Sequence, residues 1–259
     1  MRLDRPLVQI REREMIDLFD LALVVVRRRP LAIAAASLAG VAPFAALNAG
    51  VAATWPSLPW LGLLLIVFEA PLATAPLTVV LGGLMFGDRP RPGQVASAIA
   101  RRAFALAFFG GLLRALMLGT LVLIPFLLER LSFVDEVILL ENCPAGKVMK
   151  RGAALGRGFT GESMARAILQ IALGGMFMVS AWWSASKLAE ALFDELTLEA
   201  LPQGPYSWAV LHAAAWTAVA FFGVVRFLAY LDQRIKLEGW AVELRLRAAG
   251  AALEDTRRW

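Results

Sequence analysis

The chain has 259 residues, 59% of them hydrophobic, and a mean hydropathy of +0.65. Soluble globular domains carry about 45–50% apolar residues, so the composition argues against a water-soluble domain and for a chain embedded in a bilayer. The formal charge of +5 lies mostly between apolar runs, so it reads as topology and contact with anionic lipid, not as nucleic-acid binding. A single cysteine, Cys143, precludes an intramolecular disulfide, and a single histidine, His212, removes every metal or catalytic scheme that needs two. No cleavable signal peptide is expected, because a long charged segment precedes the first apolar run.

In chain order, residues 7–26 predict an amphipathic helix. Leu7, Ile10, Met15, Leu18, Phe19 and Leu21 recur near helical spacing, while Arg11, Glu12, Arg13, Glu14 and Asp17 are polar. Such a helix favours the membrane interface with its apolar side down. Arg27, Arg28 and Arg29 end it, and Pro30 suits the first turn of the next helix. Residues 31–53 predict a first span, since about 20 apolar residues cross a hydrocarbon core. Ala32, Ala36 and Gly40 form a small-residue stripe for close helix approach. Trp55 and Trp60 suit an interfacial aromatic belt. The second span, 60–86, carries Glu69, Pro71 and Pro76, and the two prolines predict a kink or break.

Residues 88–102 predict a polar, proline-rich loop and a short helical approach. The third span, 103–124, places Arg114 near mid-depth beside a stripe of Gly111, Ala115 and Gly119, and Pro125 closes it. After a charged stretch at 126–142, Pro144 to Gly158 fit a basic helix with Val148, Ala153 and Leu155 against the membrane. The fifth span, 165–188, has Gly174 and Gly175 centrally. An acidic loop with Glu190, Asp194, Glu195 and Glu199 leads to a sixth span at 206–230 and an amphipathic tail.

Lysine and arginine retained on the cytoplasmic side set orientation. Residues 1–30, 88–102, 143–166 and 226–259 hold 23 of the 26 basic residues. Placing all four segments on one side requires a return crossing between 126 and 142. On that short pass Glu129, Ser132 and Glu136 share a helical face with Asp135 beside them, and Leu127, Leu131, Val134 and Ile138 occupy the other. Charges at membrane depth face the bundle interior, so the carboxylates are expected inward and the aliphatics towards lipid. The expectation is an all-α integral membrane protein, a six-pass helical bundle with a short charged fourth pass and amphipathic interfacial helices. One membrane domain covers 1–259: a cytoplasmic amphipathic segment at 1–30, the bundle at 31–230, and a cytoplasmic tail at 231–259. The setting is a cytoplasmic (inner) membrane, with both termini cytoplasmic.

A leading DLALVVVRRRP segment, the order LIP…F..EVILLE, and an A..VMKRGAALGRGF helix resemble a known group. It is the bacterial six-helix membrane domain associated with glycerophosphodiester phosphodiesterases. Pro125, the run Val137 to Glu141, and Ala145, Met149, Arg151, Leu155 and Gly158 occupy places similar to that group's turn and helix. The resemblance implies a membrane bundle and no chemistry, because the catalytic barrel domain is absent from this sequence.

The candidate intramembrane polar cluster is Glu69, Arg114, Glu129, Asp135 and Glu136, with Arg114 expected to pair with a carboxylate of span two or four. It reads either as a structural ion pair or as a polar site in an ion or solute path. His212 is expected to pack and to bond a neighbouring helix. Arg27, Arg28, Arg29, Arg101, Arg102, Lys150 and Arg151 are candidate contacts for lipid headgroups. No P-loop, Ser-His-Asp or cysteine-rich pattern is present, so no cofactor, no metal and no enzymatic activity are expected. The leading expectation is a non-enzymatic scaffold or partner subunit of a bacterial envelope complex, with anionic lipids and another membrane protein or a second copy as partners. The alternative is a small transporter or lipid-handling protein. A dry bundle with its charges paired favours the first, and a cavity open to one side or to lipid, lined by those charges, favours the second.

Overall fold

The computed structural model describes residues 15–58, 60–85, 90–119, 130–192 and 205–238, and among these there is helix and no strand. Five helical stretches are long and apolar enough to cross a membrane: Pro30–Thr54, Trp60–Met85, Pro92–Met117, Thr160–Ala189 and Ser207–Leu237. This is an all-helical chain of membrane-protein type.

Helix α1 (Met15–Arg28) buries Leu18, Phe19, Ala22 and Val25. It leads directly into α2 (Pro30–Thr54), which begins on a proline whose missing N–H costs nothing in a first turn. The second span is two helices, α3 (Trp60–Ala73) and α4 (Ala75–Met85), separated at Thr74. Pro71 and Pro76 each withdraw a backbone donor there, so the predicted break is present. Thr74 fills part of the gap by donating its hydroxyl to the Ala70 carbonyl at 2.9 Å. Gly40 of α2 lies against this break, where a Cβ would overlap the Ala73 carbonyl.

The third span starts earlier than the sequence suggests. Helix α5 (Pro92–Ala105) takes up most of the expected loop, and the Arg91 N–H donates to the Gln94 side chain at 2.9 Å to fix its start. It continues as a π-helical stretch, Leu106–Leu113, and then α6 (Arg114–Gly119). The wider π turns rotate the packed face, so the glycine in close contact is Gly110 and not Gly111 or Gly119.

Residues 131–142 run back along this helix. The Leu131 carbonyl accepts from Arg114, Asp135 lies against Gly110, and Asn142 accepts from Arg102. The order is antiparallel and spans twelve residues of helix, about 18 Å at 1.5 Å per residue. Within it, α7 (Val134–Leu139) is buried at every position. That corrects the expected lipid face. Leu131, Val134 and Ile138 are 0%, 1% and 0% exposed and pack with Ala75, Leu106 and Val148. The periodicity separates the two faces correctly, but α4, α5, the π-helical stretch and the next helix surround both. Leu127 and Glu129 lie outside the described residues.

Helix α8 (Ala145–Gly156) turns Val148 and Leu155 into the protein, not onto the membrane, and its Gly152 sits on the Arg130 carbonyl. The apolar side of α1 is likewise occupied by protein, not laid down on lipid. Phe19 meets Phe222 edge-on at 6.4 Å between ring centroids. Leu7 and Ile10 lie outside the described residues. Helices α9 (Thr160–Leu192) and α10 (Pro205–Glu238) form a long antiparallel pair, tied at one end by Trp182 to Ser207 and at the other by Lys236 to Glu162 at 3.7 Å. Helix α10 is the axis of the bundle and touches α1, α2, α3, α4, α8 and α9.

Candidate functional site: an arginine-lined cleft

The buried charge centres on Arg226 of α10. Its Nε lies 2.8 Å from Glu136 Oε1, its Nη1 2.9 Å from Asp135 Oδ2, and its Nη2 donates to Thr74 Oγ1 at 3.0 Å. Each partner is there for a local reason. Thr74 stands at the proline-induced break, and Gly223, three residues before Arg226, leaves room for it. Asp135 fits because Gly110 has no side chain. Asp135 and Glu136 are 1% and 0% exposed. Two carboxylates so deeply buried are tolerable only because a guanidinium and hydrogen bonds meet them.

Two further arginines approach the same place with less to hold them. Arg114 donates through Nη2 to the Leu131 carbonyl at 2.9 Å, and its buried Nε has no hydrogen-bond partner. Arg166 of α9 lies over the Phe133 ring at 5.3 Å and makes one long bond, 3.3 Å, to Ser163 Oγ. Among the described residues, neither forms an ion pair with a carboxylate. Among the described residues the expected pairing of Arg114 with a carboxylate is not formed, because Asp135 and Glu136 are in contact with Arg226; Glu129 lies outside the described residues.

Arg114, Arg166 and Arg226 line one cavity of about 390 Å³, together with Thr74, Ser163 and Gln170. Helices α3 and α9 form its walls and α10 its floor. Val67 and Ile171 also line it and are 51% and 76% exposed on the apolar flanks of their helices. The cleft therefore opens sideways, where a spanning helix meets acyl chains. Asp135 and Glu136 stand close to these guanidinium groups, and Glu162 and Asp232 lie near enough to act on Arg166 as well.

The sequence-predicted cluster is divided in space. Asp135 and Glu136 belong to this site, and Arg114 lines it. Glu69 sits instead between α2 and α3, accepting from Asn48 Nδ2 at 3.0 Å. Arg166 and Arg226 were missed as site residues, having been grouped with the orientation charges. A signal existed for both. Arg226 falls within the predicted sixth span and Arg166 within the fifth, where a charge needs a partner. His212 does not bond a neighbouring helix. Its Nδ1 donates to Trp208 O of its own helix at 2.7 Å, and Nε2 lies against Gly62.

A second charged group sits at the Arg102 end. Glu141 accepts from Arg151 through two bonds of 2.6 and 2.9 Å and from the Tyr230 hydroxyl at 2.8 Å, with Arg234 at 3.7 Å. Arg102 donates to Asn142 Oδ1 at 3.0 Å and, more weakly, to the Cys143 carbonyl at 3.4 Å. Asn142 holds a left-handed φ of 52°, which asparagine tolerates better than most residues. The candidate headgroup contacts Arg102 and Arg151 thus have partners in other parts of the chain, and Arg101 donates to the Ser97 carbonyl of its own helix at 3.2 Å. Arg27, Arg28, Arg29, Arg101 and Lys150 are exposed.

Compared with known proteins, the chain matches no family model, no curated protein and no solved structure.

Proposed function

We propose that this is a non-enzymatic, six-pass protein of a bacterial inner membrane that takes an amphiphile from the bilayer into the cleft between α3 and α9. The observation that carries the reading is a cavity that opens sideways and holds two arginines, Arg114 and Arg166, that among the described residues are in salt-bridge contact with no carboxylate. Intramembrane ionisable residues facing a cavity are characteristic of ligand or ion paths, and a cavity of a few hundred Å³ is of ligand-binding size. A scaffold would be served better by a dry bundle with every charge paired.

Two observations support six crossings with both termini cytoplasmic. Residues 131–142 run antiparallel to the third span down to Arg102, as a returning pass would. With that return, the clustered basic residues other than Arg166 and Arg226, 21 of the 26, fall on one side. Arg27, Arg28, Arg29, Arg101 and Lys150 then lie on the cytoplasmic side, in reach of anionic headgroups. Another membrane protein or a second copy remains a compatible partner, since α9 exposes Ile168, Met176, Phe177 and Val179 along its outer side.

The test is lipid retention. The protein is purified in mild detergent, and its bound lipid is extracted and identified by mass spectrometry. Ala167→Trp, which fills the cleft from its α9 wall, should remove the retained lipid while elution volume and helicity stay unchanged. Equal retention by wild type and Ala167→Trp would overturn the reading.

A further inference from the structure

We infer that the cleft receives a phosphate group bearing a single negative charge, held by Arg114 and Arg166, while Arg226 positions the site without binding the ligand. The inference rests on the cleft reading and specifies its ligand.

The three arginines differ in how their donors are used. A guanidinium carries five N–H donors in a fixed fork. Arg226 directs its Nε, Nη1 and Nη2 to Glu136, Asp135 and Thr74. Its charge is matched and its orientation fixed from two places, α7 and the break at Thr74. Arg114 and Arg166 differ. Among the described residues each donates one hydrogen bond, to Leu131 O and Ser163 Oγ, and neither is in salt-bridge contact with a carboxylate. Arg166 is only 9% exposed and the Arg114 Nε is fully enclosed. A buried cation without a direct ion pair is costly, and an anion entering the cavity supplies one.

Charge and shape narrow the anion. Carboxylates stand close by, Asp135 and Glu136 at Arg226 and Glu162 and Asp232 towards Arg166, and they repel a dianion more than a monoanion. Guanidinium forks suit the oxygen pairs of phosphate and carboxylate alike. A phosphodiester presents more oxygens than a carboxylate, and the cavity offers additional polar groups in Ser163 and Gln170. A zwitterionic head would bring an ammonium group beside the arginines, and the nearby carboxylates are already engaged, Asp135 and Glu136 with Arg226 and Asp232 and Glu162 with Lys236. The apolar mouth at Val67 and Ile171 has room for acyl chains leaving sideways.

The experiment is native mass spectrometry of the full chain released from micelles doped with equal amounts of phosphatidylglycerol, phosphatidylcholine and oleate. Wild type should retain one phosphatidylglycerol about tenfold over phosphatidylcholine, the order expected of charge-assisted hydrogen bonds. Arg114→Gln and Arg166→Gln should each lower that retention about tenfold. Arg166→Lys should recover part of it, keeping the charge but losing the fork. Preference for oleate would overturn the phosphate assignment, and equal retention of the two phospholipids would overturn the monoanion assignment. Unchanged phosphatidylglycerol retention in both Gln variants would overturn the residue assignment. Should the variants fail to fold, competition on wild type decides. Dimethyl phosphate displacing the lipid at equal concentration would make the ligand a soluble diester and overturn the lipid source. Ala167→Trp separates the two levels. If it abolishes retention of every lipid while wild type shows no headgroup preference, the cleft stands and this inference falls. If it leaves retention intact, the cleft itself falls.

Discussion

Two charged clusters lie about one to two turns apart along α10, and they are built on opposite plans. At the Tyr230 level, Glu141 is approached by Arg151, Tyr230 and Arg234, which leaves little acceptor capacity unused. At the Arg226 level, Asp135 and Glu136 satisfy one arginine, while among the described residues Arg114 and Arg166 are in salt-bridge contact with no carboxylate. Both clusters hang on the same returning segment, 131–142, so its placement determines both. The first ties α8 and α10 to that segment. The second leaves donors directed at an open volume, as a binding site requires and a structural tie does not.

The sharpest way to break this comparison is to remove the arginine that is matched. Arg226→Ala leaves two carboxylates buried without a cation, and the expected cost is about 3–5 kcal/mol of stability. Thermal unfolding in detergent, followed by helicity or aggregation, reads it. Arg114→Gln removes a cation that has no carboxylate partner and should cost well under half as much. Equal losses for the two would show that Arg114 is as fully engaged as Arg226, and the contrast between matched and unmatched arginines would fail.

Close packing gives the next effect. A side chain at Gly110 would displace Asp135, and one at Gly40 would strike the Ala73 backbone. Gly110→Leu and Gly40→Leu should each cost on the order of 1–3 kcal/mol through overpacking. Gly119→Leu, with nothing within 4 Å of its Cβ position, should be nearly neutral. Equal melting temperatures for all three would remove the close approach that lets Asp135 reach Arg226.

These contrasts also show how far the sequence could be read. The break at Thr74 was legible because proline acts through its own backbone, whatever surrounds it. The inward direction of Asp135 and Glu136 was legible because a charge at membrane depth must find company. Their partner was not, since Glu136 and Arg226 are 90 residues apart and nothing local joins them. The burial of Leu131, Val134 and Ile138 was illegible for a related reason. Periodicity tells which residues share a face but not what covers it, and a surrounded segment buries both faces. The shift from Gly111 to Gly110 depends on a π-helical stretch that no residue pattern in LAFFGGLL announces.

The smallest effect tests the saturated cluster. Tyr230→Phe removes one neutral donor from Glu141, which still keeps both bonds from Arg151. The tyrosine ring remains packed beside Phe133 at 6.1 Å between centroids, and phenylalanine preserves that contact. The expected loss is about 1 kcal/mol, the usual net worth of one hydrogen bond, measured as a fall in thermal midpoint. Lipid retention should not change, because Tyr230 does not line the cleft. A drop in retention without a drop in stability would mean that the two clusters communicate through segment 131–142, making the tie at Glu141 a control on the cleft and not merely its foundation.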